Sequence, residues 1–173
     1  MKADRWFGRK FEWRPAAGTF PMIVERLRGA PVRVEDKVRG LSGEALTRRV
    51  DDAWSLQENI GHLLDLEDLW LGRLEDFLSG AEELRPADLT NRATHEGNHN
   101  SKTISDITAA FRSCRMAFVE RLDGLDAAQV STEANHPRLK QPMRLIDLCF
   151  FTAEHDDQHL ACMTELVKSL RVD

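Results

Sequence analysis

Apolar residues in this chain recur at steps of three and four through four long stretches, and almost nowhere at steps of two. A repeat near 3.6 belongs to one face of an α-helix, so the pattern commits most of the chain to amphipathic helices. In the first stretch Ile23, Leu27, Ala30, Val34, Val38 and Leu41 share a register, with Thr19 and Pro21 at its start and Gly40 at its end. Pro31 interrupts it without shifting the register, which predicts a kink and not a break. The second opens on Ser55 and Glu58, spaced as a capping box, and runs to about Leu78 through Leu56, Ile60, Leu63, Leu71 and Leu74. The third covers about 101–122, with Ile104, Ile107, Phe111, Cys114, Phe118 and Leu122 in register and Gly124 as a stop. The fourth covers about 143–170. Strand-like alternation is confined to Phe11 and Trp13, in an N-terminal arm.

The connections restrict the topology. The segment 80–100 between the second and third helices reaches roughly 70 Å when extended, whereas a helix of 24 residues is only about 36 Å long. The chain can therefore cross the bundle from end to end and start its third helix parallel to its second. We expect an all-α fold, a four-helix bundle of up-down-down-up order with a long crossover between helices two and three. Residues 1–173 form one domain in this reading, with 1–18 as an aromatic arm. Trp6, Phe7, Phe11 and Trp13 are too many aromatics for a solvated tail, so the arm should pack on its own bundle or on a second protomer.

A net charge of −5 argues against nucleic acid or an anionic membrane as the main partner, because a phosphate-binding face needs a positive surplus. No apolar run approaches the roughly 20 residues that span a bilayer. The three cysteines, Cys114, Cys149 and Cys162, show no Cys-x-x-Cys spacing and read as reduced thiols, which points to the cytoplasm.

The fourth stretch carries His155-x-x-x-His159 on the face that also holds Leu148, Thr152, Cys162, Met163, Leu166 and Leu170. Two imidazoles one turn apart can share a metal ion, and two bases turned into a core need partners. The plain alternative is a pair of core histidines bonded to backbone or carboxylates. His62 sits at the margin of the apolar arc of the second helix, beside Leu66 and Leu69. It is either a boundary residue or the third nitrogen of a site shared between two helices. His95 and His99 match the H-E-x-x-H pattern of zinc peptidases, but 91–103 offers almost no apolar face and contains Gly97, Asn98 and Asn100. We read that segment as a polar loop.

Asp156, three residues before His159, is a metal ligand, an outer acceptor for an imidazole N–H, or one member of a half-buried ion pair. Glu58 can orient His62, though its capping role is simpler, and Glu67 lies inside the apolar arc, where an arginine partner would account for it. Cys162 is either a fourth ligand or a small core filler.

With these residues placed, the chain resembles the DinB-like (YfiT-related) family of metalloenzymes. The resemblance rests on Trp54-Ser55-x-x-Glu58-x-x-x-His62-Leu63 and on Ala153-Glu154-His155-Asp156-Asp157-x-His159-Leu160. His136-Pro137-Arg138-Leu139 and Gly29-Ala30-Pro31-x-Arg33 agree with it, and the likeness extends over about 20–170. It implies the bundle argued above, with His62, His155 and His159 as ligands of a divalent ion, nickel or zinc first, and often a homodimer. It also implies a small-molecule substrate. Relatives include transferases that use a low-molecular-weight thiol as co-substrate, proteins described as hydrolases, and others of no known activity. We therefore expect a metal-dependent enzyme, a thiol S-transferase ahead of a hydrolase, with Asp156 as an outer-shell catalytic residue. The rival expectation is a non-catalytic, stress-associated protein that binds a metal or small ligand.

Overall fold

A computed structural model describes residues 6–11 and 15–170 of the chain. Helix α1 (Phe20–Val38) is followed by the short α2 (Gly43–Thr47), then by α3 (Leu56–Asp65) and α4 (Glu67–Leu78). The crossover carries α5 (Arg92–Glu96) and a 3-10 turn at His99–Ser101. Beyond it come α6 (Ile104–Asp123), α7 (Ala127–Val130), a hairpin of β1 (Glu133–His136) and β2 (Gln141–Arg144), and α8 (Leu145–Ser169). Among the described residues no helix is long and apolar enough to cross a membrane.

Local chemistry sets the helix ends. Ser55 accepts from the Glu58 N–H at 3.1 Å while Glu58 accepts from the Ser55 N–H at 2.9 Å, closing the expected capping box at the start of α3. Thr103 caps α6 by accepting from the Asp106 N–H at 3.2 Å, so that helix begins after the His99–Ser101 turn and not at residue 101. Pro31 is buried inside α1, which continues through it to Val38.

Two features differ from the sequence expectation. The second periodic stretch is two helices, parted at Leu66 (φ −90°, ψ −8°), whose N–H still reaches the His62 carbonyl at 3.3 Å. The apolar spacing runs through this break, which hides it. The antiparallel hairpin β1–β2 was also unexpected; its register pairs Ala134 with Met143 and His136 with Gln141. Its buried positions in β1 are Ala134 and His136, so no apolar alternation announces a strand. Trp13, half of the expected Phe11/Trp13 alternation, lies outside the described residues.

The four long helical units enclose two apolar cores. One gathers Leu27, Trp70, Leu74, Phe118, Leu148 and Phe151. The other gathers Val34, Leu56, Ile60, Phe111, Leu160 and Met163. Between them, at one level of the bundle, lies a polar layer: Glu67, Arg115 and Asp156 on one side and His62, His155 and His159 on the other. Cross-helix pairs join the units: Arg26 to Glu154 and Lys37 to Thr164 between α1 and α8, Arg112 to Glu35 and Arg28 to Asp123 between α6 and α1, and Arg115 to Glu67 and Arg121 to Glu75 between α6 and α4.

Candidate metal centre

Helix α8 projects His155 and His159 from one face, and α3, packed against it, brings His62 to the same point. The ring centroids are 5.4 Å apart for His62 and His155, 4.9 Å for His62 and His159, and 4.6 Å for His155 and His159. One nitrogen from each ring falls within 4.8 Å of the other two. Two nitrogens on a tetrahedral ion stand about 3.4 Å apart, so the three rings sit near ligating separation.

Outer partners aim two of the rings. Asn59 donates its amide to the Trp54 and Ser55 carbonyls at 3.1 and 2.8 Å, which turns Oδ1 toward His159 Nδ1 at 2.9 Å. An oxygen acceptor there holds the proton on Nδ1 and leaves the Nε2 lone pair of His159 free to ligate. His62 Nδ1 meets Thr94 Oγ1, on α5, at 2.9 Å. His155 Nδ1 is buried with no partner.

Burial keeps all three imidazoles neutral. It lowers His62 to about 4 and His159 to about 3, and it holds His155 well below the usual value, with its neighbours His159 and His62 adding to the effect. Neutral imidazoles with their lone pairs converging are what a divalent cation of borderline softness takes. The donor set therefore fits such an ion.

The remaining sequence candidates are placed as follows. Asp156 is wholly buried and its carboxylate meets Arg115, not an imidazole. Arg115 also binds Glu67 at 2.6 Å, so Glu67 has the arginine partner its position called for. Glu58 closes the α3 cap and pairs with Arg49, whose hydrogen bond and charge hold its carboxyl down at about 2. Cys162 is not part of the histidine cluster. His95 and His99 do not share a helix: His95 is exposed on α5, whereas His99, expected on a polar loop, is buried. His99 is 2% exposed, with Nε2 on Asp65 at 2.9 Å, and His95 stands edge-on to Trp54 at 5.8 Å. A Cβ on Gly61 would stand 2.2 Å from the His99 ring, so only glycine on α3 admits that ring.

Tryptophans wall the centre: Trp54 lies 4.7 Å from His62, Trp6 stands edge-on to His155 at 4.9 Å, and Trp70 lies 6.0 Å from His155. Phe11 packs on Phe151 at 5.1 Å, so the described part of the arm covers its own bundle. A cavity of about 420 Å³ opens from the three histidines past Phe151 and Trp70 to Arg73, His136 and Arg138.

The sequence profile of the DinB superfamily matches residues 26–163, and the chain belongs to that superfamily. Among solved structures it is similar to YfiT from Bacillus subtilis, described as a probable metal-dependent hydrolase with an unusual four-helix bundle topology. The identity is 19%, the alignment covers 94% of this chain and 93% of that one, and the TM-score is 0.81. No curated protein sequence matches.

Proposed function

We propose that the protein is a metal-dependent enzyme in which His62, His155 and His159 hold a divalent ion, and that its reaction is hydrolysis of a small molecule bound in the adjoining cavity. The convergence of three neutral imidazoles within 4.8 Å, two of them buried and His159 half-buried, carries this reading. The description of YfiT as a probable metal-dependent hydrolase supports it. A divalent ion bound there supplies Lewis acidity, which polarises a substrate oxygen and eases loss of a proton from an attacking water or thiol.

The chain's own residues do the rest. Asn59 and Thr94 hold the rings of His159 and His62 in their ligating orientation. Trp6, Trp54 and Trp70 exclude bulk water and lower the local dielectric, which strengthens each charge interaction in the cavity. Asp156, through Arg115, fixes the level of α8 at which His155 and His159 stand; we assign it a positioning role. The up-down-down-up order belongs to the same proposal. It is supported by pairs that rise together between α1 and α8 (Arg26 with Glu154, Lys37 with Thr164) and between α4 and α6, and run oppositely between α1 and α6.

Zinc or nickel titrated into metal-free protein should bind one ion per chain, and His155→Ala should abolish that binding. The loaded protein should then cleave members of an ester and amide panel. Conjugation of a low-molecular-weight thiol to an electrophile, with no cleavage, would replace hydrolysis by thiol transfer. Stoichiometric metal with neither activity would leave a binding protein.

A further inference from the structure

At the far end of the cavity three donors meet with no carboxylate in ion-pair contact, although Asp76, bound to Arg85, lies near enough for its charge to act on Arg73. Arg73, on α4 one turn past Trp70, is 1% exposed, and its Nε donates to the Arg85 carbonyl at 3.1 Å. Its Nη1 stands 3.2 Å from Nε2 of His136. His136 Nδ1 in turn accepts from the backbone N–H groups of Arg138 and Leu139, both at 3.2 Å. A neutral imidazole that accepts at Nδ1 carries its proton on Nε2. The Arg73 guanidinium and the His136 Nε2–H are then two donors facing each other, with no acceptor between them.

Arg138, on the hairpin turn, adds a second cation. One of its guanidinium nitrogens is buried without a partner, and the group lies 5.4 Å from the Phe7 ring. Neither Arg73 nor Arg138 has an ion-pair partner among the described residues. The nearby acids are already engaged: Asp76 binds Arg85, and the exposed Asp88 at the rim accepts from Thr90 and the Arg92 N–H. The two arginines lie close enough to His136 to lower its pKa further, after burial has already done so. Two buried or half-buried cations facing one neutral donor make an arrangement that an oxyanion relieves.

We propose that Arg73, His136 and Arg138 form the binding site for an anionic group of the substrate, a carboxylate or phosphate, whose apolar body lies against Phe151 and Trp70 and whose reacting bond reaches the three histidines. This deepens the metalloenzyme reading and rests on it for the position of the reacting end. The spacing follows from the fold: Phe151 is one turn before His155 on α8 and 5.7 Å from His136. The anion and the reacting bond are thus separated by roughly one to two helical turns, about 5–11 Å. Phe7 and Leu89, both exposed, border the cavity and present apolar surface to an entering chain. The substrate class is an amphipathic small molecule with one charged end.

Octanoate, octyl phosphate and neutral octanamide, titrated calorimetrically into full-length protein, test this, first in chelator and then with one equivalent of zinc. In chelator at least one of the two anions should bind ten-fold or more tightly than octanamide, and the better of the two identifies the headgroup. Arg138→Gln should remove that preference, Arg138→Lys should retain part of it, and both should bind zinc like the parent protein. If octanamide binds as well as both anions, if Arg138→Gln leaves the preference intact, or if the preference appears only with zinc, the proposal fails. Zinc stoichiometry is measured in the same series, so loss of the metal reading registers separately from loss of the anion site.

Discussion

Asn59 and Thr94 decide how His159 and His62 present their lone pairs, although neither is itself a ligand. Replacing such a partner of a ligating imidazole lowers metal affinity about 10–100-fold. Thr94→Val, nearly isosteric, should weaken zinc binding by about ten-fold with little change in melting temperature. Asn59→Leu should cost at least as much, because the Trp54 and Ser55 carbonyls also lose their donor. Competition with a chromogenic chelator measures both, and unchanged affinity in both would show that the rings are held by other means. Gly61→Ala is the steric counterpart: the new methyl must displace the His99 ring, for a loss of roughly 1–3 kcal/mol in denaturant unfolding. At this scale the sequence disclosed the three histidines that cluster and concealed what aims two of them. His155 and His159 declare themselves by a one-turn spacing on an apolar face. Thr94 and Asn59 are short polar residues 32 and 100 positions from the rings they touch, and nothing local marks them.

The helices meet across a polar layer in which, beside the three histidines, one cation lies between two carboxylates. Arg115 is fully buried, and so, within a few per cent, are Glu67 and Asp156. Removing the cation would strand two acids, and breaking such a buried set costs about 3–5 kcal/mol. Arg115→Met should therefore destabilise strongly, whereas Glu67→Gln with Arg115 retained should cost less, since one ion pair survives. Urea unfolding of the two variants checks the order, and equal losses would contradict it. The elements themselves were legible wherever side chains repeat with helical period and an end signal is present, as at Ser55 and Glu58 or Gly124. Leu66 escaped notice because Leu63, Leu66 and Leu69 keep their spacing across the break. The hairpin escaped because its strands have four residues each and β1 buries a histidine in place of an apolar side chain. The polar layer was half visible: Glu67 needed an arginine, but which arginine depends on the packing of α6 against α4 and α8.

For the molecule as a whole, these buried titratable groups set how stability responds to pH. The histidines are bases whose folded pKa values lie below the ordinary 6.5: about 4 for His62, about 3 for His159, and well below for His155. Below pH 6.5 the unfolded chain takes up protons that the folded chain refuses, so their contribution is complete above 6.5 and is lost as the pH falls through 4 toward 3. Each proton taken up adds a slope of about 1.4 kcal/mol per pH unit. Glu67 acts in the opposite sense. Burial raises it to about 7, so its contribution is complete below the ordinary carboxylate range and is lost as the pH rises through 7. Between pH 4.5 and 6.5 the three imidazoles outweigh the one carboxyl, so the metal-free protein should gain stability from pH 4 up to about 7 and stay level above it. His62→Gln should make this acid limb shallower, and Glu67→Gln, which removes the opposing carboxyl, should make it steeper between pH 4.5 and 7. Zinc at saturating concentration should raise the melting temperature at pH 7 and do progressively less toward pH 4, since protons and metal compete for the same lone pairs. Melting curves recorded from pH 4 to 8, in chelator and in zinc, would read both effects. A metal-free protein equally stable at pH 4.5 and 6.5 would mean that the imidazoles are hydrated, and a zinc effect independent of pH would mean that the ion binds elsewhere.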